Sequence, residues 1–172
     1  MHARCFLVAL MFLFGWGGAA PAGPLPAVDE DAVTRPDDPE IVEWMGRTAP
    51  MTEAERASAL DAILARMTAG GGETPRTDFM TCAALAHRGE GRAQYCVGQA
   101  YENGTGVVED PTDAYVWYAL AARAGYGAGA EARERVKTLL VSVYPAPTDE
   151  ELGALEAAAL EAVARLGAEA RK

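Results

Sequence analysis

AQYCVGQAYENGTGVVEDPTDAYVWYALAARAGYG, residues 93–127, holds two short helical patterns on either side of a glycine-rich loop. In the first pattern Ala93, Val97, Ala100 and Tyr101 recur at helical spacing, with Cys96 beside them. Asn103-Gly104 ends that helix, because both residue types tolerate the left-handed conformation that a C-cap needs. Gly106 keeps the loop tight. Asp110-Pro111 then restarts the chain as a helix: aspartate caps the N-terminus, and proline suits a first position whose N–H has no partner. Asp113 adds negative charge to the first turn, where the helix dipole favours it. Ala114, Trp117, Tyr118, Ala121 and Ala122 form the apolar stripe of the second helix, and Gly125 closes it. Alanines and Gly98 on facing sides let the two helices approach, and Trp117 and the tyrosines fill the remaining space. The expected product is an antiparallel helical hairpin.

A shift of thirty-six residues lays part of the chain on itself: Ala83 on Ala119, Ala86 on Ala122, Gly89 on Gly125 and Gly91 on Gly127. A period in this range marks a helical solenoid. The stretch resembles the Sel-one-like repeat, a relative of the tetratricopeptide repeat. Ala93, Val97, Gly98, Tyr101, Gly104, Gly106, Val107, Asp110, Ala114, Trp117, Tyr118, Ala121, Ala122 and Gly125 fall on its pattern, with Val97 where leucine is usual. The match covers about one repeat plus the second helix of a preceding one, under a third of the chain. Motif residues of this family are structural, so the resemblance implies a fold and an adaptor or regulator role, with no chemistry at the motif.

The flanking segments extend the helical reading. Arg4, the apolar run Cys5–Phe14 and Ala20-Pro21-Ala22 read as an export signal over 1–22, with cleavage near Gly23; an uncleaved membrane anchor is the alternative. Residues 23–39 are rich in proline and acids and bury too little apolar surface to offset ordering, so they read as a flexible tether. Residues 40–172 form the helical-repeat domain. Glu40–Arg47 is expected to dock Ile41, Trp44 and Met45. Thr52 to Glu55 is a capping box, followed by the stripe Leu60, Ile63, Leu64 and Met67, which Gly70-Gly71-Gly72 ends. Thr77 or Asp78 is expected to cap a helix carrying Phe79, Cys82, Ala83 and Ala86. Ala130–Val143 places Val136, Leu139, Leu140 and Val143 in register, stopped by Pro145 and Pro147. Thr148 to Glu151 is a second capping box, opening a helix with Leu152, Leu155, Ala159, Val163 and Leu166. No period-two pattern is long enough for a sheet. The expected fold is all-α, a short α–α superhelix (a right-handed helical-repeat solenoid) with degenerate capping helices.

The chain carries a net charge of −10, and loss of Arg4 with the leader leaves 14 basic against 25 acidic residues, near −11. That disfavours nucleic acid and anionic membrane as partners, since both require cations to neutralise phosphate. Solubility, or an acidic surface facing a basic partner, accounts for the acids. Two cysteines, Cys82 and Cys96, remain in the mature chain, and Gly89 lies midway between them. Antiparallel helices folding back there bring the two together, which favours a disulfide in an exported protein; two buried free thiols are the alternative.

Candidate chemistry is sparse. His87 ends a helix and reads as a solvated residue satisfying the last carbonyls. With one histidine left after cleavage, no zinc site is expected, and no cofactor. Ser58 and Ser142 sit inside helical patterns, outside any nucleophile elbow. Asn103-Gly104-Thr105-Gly106 lacks the Lys-Ser/Thr of a phosphate loop, and Glu109, Asp110 and Asp113 lack calcium-loop spacing. Trp117, Tyr118 and Tyr101 read as core. The candidate partner-binding face is the polar side of the first repeat helix, Gln94, Tyr95, Gln99 and Glu102, with a solvated face as the bland alternative. The sequence thus favours a non-enzymatic module that binds a protein or peptide in the periplasm or outside the cell. A cell-wall hydrolase using carboxylates such as Glu102 and Glu109 is the alternative, as is a membrane-tethered scaffold if the leader stays.

Overall fold

Helix starts and stops follow local chemistry, and their positions set the stack. The computed structural model describes residues 39–70, 72, 74–143 and 148–169, and the account below concerns these. They form seven α-helices and no strand: α1 Pro39–Thr48, α2 Glu53–Thr68, α3 Pro75–Ala86, α4 Gly91–Asn103, α5 Pro111–Arg123, α6 Gly127–Val143 and α7 Asp149–Glu169. The expected leader, 1–22, and the tether lie outside the described residues, except that Pro39 already opens α1.

The hairpin predicted at 93–127 is α4–α5, the most extensive helix contact of the molecule, followed by α5–α6 and α3–α4. Gly98 explains the closeness. A Cβ there would lie 2.7 Å from the Tyr118 ring, so only glycine lets the two axes come this near. Gly104 adopts φ 64 at the end of α4, and the Thr105 N–H bonds the Ala100 carbonyl, closing a Schellman turn. The loop that follows lies on the start of α3: a Cβ on Gly106 would meet the Pro75 carbonyl oxygen at 2.2 Å. Asp110 caps α5 by accepting from the Thr112 and Asp113 amides. Around this centre α1 packs on α3, α2 on α4 and α7 on α5, so neighbouring helices stack as in a helical-repeat arrangement.

Trp117 and Tyr118 are the largest fully buried side chains, joined in the core by Tyr101, Val97, Val116, Met80 and Leu85. Phe79 meets Tyr101 edge-on at 5.7 Å. Of the α2 stripe, Leu60, Ile63 and Met67 are buried and Leu64 partly so. Cys82 and Cys96, both fully buried, form a disulfide between α3 and α4, with Cα atoms 5.9 Å apart. Both capping boxes form, at Thr52–Glu55 and at Thr148–Glu151.

Two helix starts and one burial expectation are corrected. Helix α3 begins at Pro75 rather than at Thr77 or Asp78, because Pro75, like Pro111, suits a first helical position whose N–H has no partner. Asp78 is therefore inside the helix. It is buried and accepts two hydrogen bonds from the Arg66 guanidinium, at 2.6 and 2.8 Å. Helix α6 starts at Gly127, three residues before Ala130. Leu139 on α6 is 45 % exposed, since Val136 and Leu140 already fill the space against the core. The residues 144–147 expected to stop α6 lie outside the described ones, as do the side chains of Val143 and Leu166.

Candidate functional site

The repeat residues are turned toward packing. Ala93, Ala114 and Ala121 are fully buried, and Trp117, Tyr118 and Tyr101 are nearly so, at 2, 0 and 4 % exposure. Ala122 is half-buried. Gly125, at φ 87, ends α5 in a second Schellman turn, with the Tyr126 N–H on the Ala121 carbonyl.

The four residues expected on one polar face of α4 divide three ways. Gln94 is buried at 3 % exposure and its amide nitrogen donates to the Ala86 carbonyl at 3.4 Å, so it belongs to the α3–α4 junction and presents nothing to a partner. The reason is registry: one residue after Ala93, it still faces the incoming end of α3. Gln99 stands on the other side. With Met67, Thr68, Gly70, Asn103 and Thr105 it lines an open cleft of about 370 Å³ between the ends of α2 and α4.

Tyr95 and Glu102 do come together, on the side of α4 that meets α5 and α6. The Tyr95 ring lies 5.3 Å from that of Tyr118 and 5.2 Å from that of Tyr126. Two turns on, the Glu102 carboxylate accepts from the Tyr118 hydroxyl at 2.5 Å and from the Arg135 guanidinium of α6 at 2.7 and 3.0 Å. Burial alone would raise the Glu102 carboxyl, but the bonds from Arg135 and Tyr118 outweigh it and hold it below its ordinary value. Burial, and then the neighbouring carboxylate, push the Tyr118 hydroxyl well up. Neither value is moved toward neutrality, which is where an acid–base catalyst is placed. The carboxylate is an ionised tie between α4, α5 and α6.

His87 corrects the sequence reading most sharply. It is 3 % exposed rather than solvated, packed edge-on against Trp117 with ring centroids 5.6 Å apart. Burial lowers it from 6.5 to about 4, so it is neutral at physiological pH. Its Nδ1 has no hydrogen-bond partner, nor do Trp117 Nε1 and Gln94 Oε1. No signal within α3 places this C-cap residue; its burial comes from α5, whose Trp117 lies against it.

Among the described residues no group of three or more His, Cys, Asp or Glu is placed to hold a metal ion, and no helix is long and apolar enough to cross a membrane. Ser58 and Ser142 are exposed, and the Ser142 hydroxyl returns to the Leu139 carbonyl at 2.7 Å. The class that the packing defines is a stack of short antiparallel helices. No protein-family model, curated protein or solved structure matches the chain.

Proposed function

We propose that the chain is an exported interaction module of the Sel-one-like repeat kind, an adaptor or regulator that offers a short helical stack to a protein or peptide and has no catalytic activity of its own. The observation that carries this reading is the use of the motif: Trp117, Tyr118, Tyr101 and Gly98 are spent on bringing α4 and α5 together, which is the role the resemblance assigns them. The acidic balance supports a basic partner over nucleic acid or anionic lipid. Surface complementarity on a rigid stack is the mechanism, with charge tuning the choice of partner.

The experiment is crosslinking in the exported compartment with the full chain, followed by competition with excess purified protein. A captured partner that is displaced in proportion supports the reading. Turnover of peptidoglycan or ester substrates, lost in Glu102→Gln, would replace it with the hydrolase. N-terminal sequencing of the exported form tests cleavage after 1–22; an intact Met1 would make the protein a membrane-tethered scaffold.

A further inference from the structure

Helix α1 lies at the edge of the described stack and is tied to it by an arginine near each end of α3. Its main neighbour is α3. The Arg76 guanidinium at the start of α3 donates to the Glu40 carboxylate at 2.6 Å, and Arg88, just past its end, donates to the Met45 carbonyl at 2.7 Å. The two helices therefore run in the same direction, with an arginine at each end of the seat. Arg76 is steadied over the Phe79 ring at 5.5 Å and reaches the Gly106 carbonyl. Arg88 sits where the dipole of α1 presents its negative end. Between these ties Ile41 and Trp44 rest on the core, both partly exposed, while Val42 is 54 % exposed and Thr48 at the end of α1 is buried. Ten residues are too few for a helix that is stable alone in water, so α1 is helical because it is docked.

We propose that the α3 face under α1 is a helix-binding seat, that α1 is its removable resident, and that the partner is a short amphipathic helix of the same chemistry. Such a helix carries a carboxylate in its first turn for Arg76, an aliphatic and an aromatic residue three apart for the apolar strip, and C-terminal carbonyls for Arg88. This deepens the interaction-module reading and rests on it. The charge pattern of the seat selects this occupant: a guanidinium fork suits a carboxylate, and a second cation suits a helix C-terminus.

The test uses the full chain and a labelled synthetic peptide of residues 39–48. Trp44→Ala weakens the resident, so the peptide should bind that variant at least tenfold more tightly than the unaltered chain. Adding Arg76→Glu should abolish binding, and a peptide with Glu40→Arg should restore it. Equal binding to both chains, equal binding of a scrambled peptide, or no binding overturns the proposal. If Trp44→Ala does not fold, hydrogen exchange on the unaltered protein decides. Amides of α1 should exchange at least a hundredfold faster than those of α4 and α5, and equal protection sinks the idea. Concentration-dependent dimers formed by exchange of α1 would give the seat to a second copy and overturn the partner helix. The crosslinking experiment above is independent: a competed partner with a protected α1 keeps the module and removes only the seat.

Discussion

Two hairpins of the same register lie side by side, α3–α4 turning at Gly89 and α5–α6 turning at Gly125, with φ 84 and 87 at those glycines. They are closed by different means. In the first, Cys82 and Cys96 bridge the helices. Thirty-six residues on, the same positions hold Tyr118 and Ala132, both buried, and no covalent link. There the closure comes from Gly129, where a Cβ would stand 2.8 Å from the Ala122 amide and 2.9 Å from the Tyr118 carbonyl oxygen. Its counterpart in the first hairpin is Ala93, which has the methyl and is fully buried. A bridged pair tolerates a methyl at this place, whereas the unbridged pair is held by backbone-to-backbone approach. Departure from the repeat pattern is thus compensated at the same level of the stack.

The largest effect should come from removing the bridge. The loop it closes spans a separation of 14 residues, so Cys82→Ala with Cys96→Ala should lower stability by about 3 kcal/mol on the chain-entropy account. Urea unfolding of the two proteins measures it; a loss under about 1 kcal/mol would mean that packing alone closes α3–α4. In the other hairpin, Gly129→Ala should cost roughly 1–2 kcal/mol, because the obstacle is backbone and cannot swing away. Ala93→Gly, at the matched position, should weaken the protein only through lost burial and helix propensity, about 1 kcal/mol.

The turns differ too. His87 and Arg123 are counterparts, yet His87 is buried and Arg123 exposed. His87 is covered because Trp117 of α5 lies over it. Its folded value, about 4, is below its ordinary 6.5, so the unfolded chain takes the proton first. Stability from this group is complete above pH 6.5, falls as pH drops through the interval, and is gone below about 4. Between pH 7 and pH 5 the loss is roughly 2 kcal/mol. Chemical unfolding across that range checks it: His87→Gln should flatten the slope, and Arg123→Gln should leave it unchanged. A slope that survives His87→Gln would assign it to other groups.

This pair also shows what a sequence can reveal here. The helical class, the α4–α5 hairpin, both capping boxes and the cysteine pairing are local or set by one turn, and they were legible from spacing. The burial of Gln94 and His87 was not, because it depends on which helices lie on either side in the stack. Periodicity within one helix says which residues share a face. It does not say that α3 has neighbours on both sides. The clustering of Tyr95 and Glu102 with Arg135 was hidden for the same reason, since Arg135 is contributed by a helix more than thirty residues away.

The smallest effect concerns the starts of the two hairpins, Thr74-Pro75 and Asp110-Pro111. The Asp110 carboxylate accepts from two amides at 2.8 and 3.1 Å, while Thr74 makes no side-chain cap bond. Both precede a proline at the first helical position, so the difference lies in the cap alone. Asp110→Ala should therefore cost about 1 kcal/mol, and Thr74→Ala close to nothing. Thr74→Asp should gain about 0.5 kcal/mol by supplying an acceptor, and a negative charge, to the first turn of α3. Thermal unfolding at neutral pH resolves all three. Equal losses for the two alanine variants would show that threonine already caps α3 in solution, and the two hairpins would then begin alike and differ only in how they are closed.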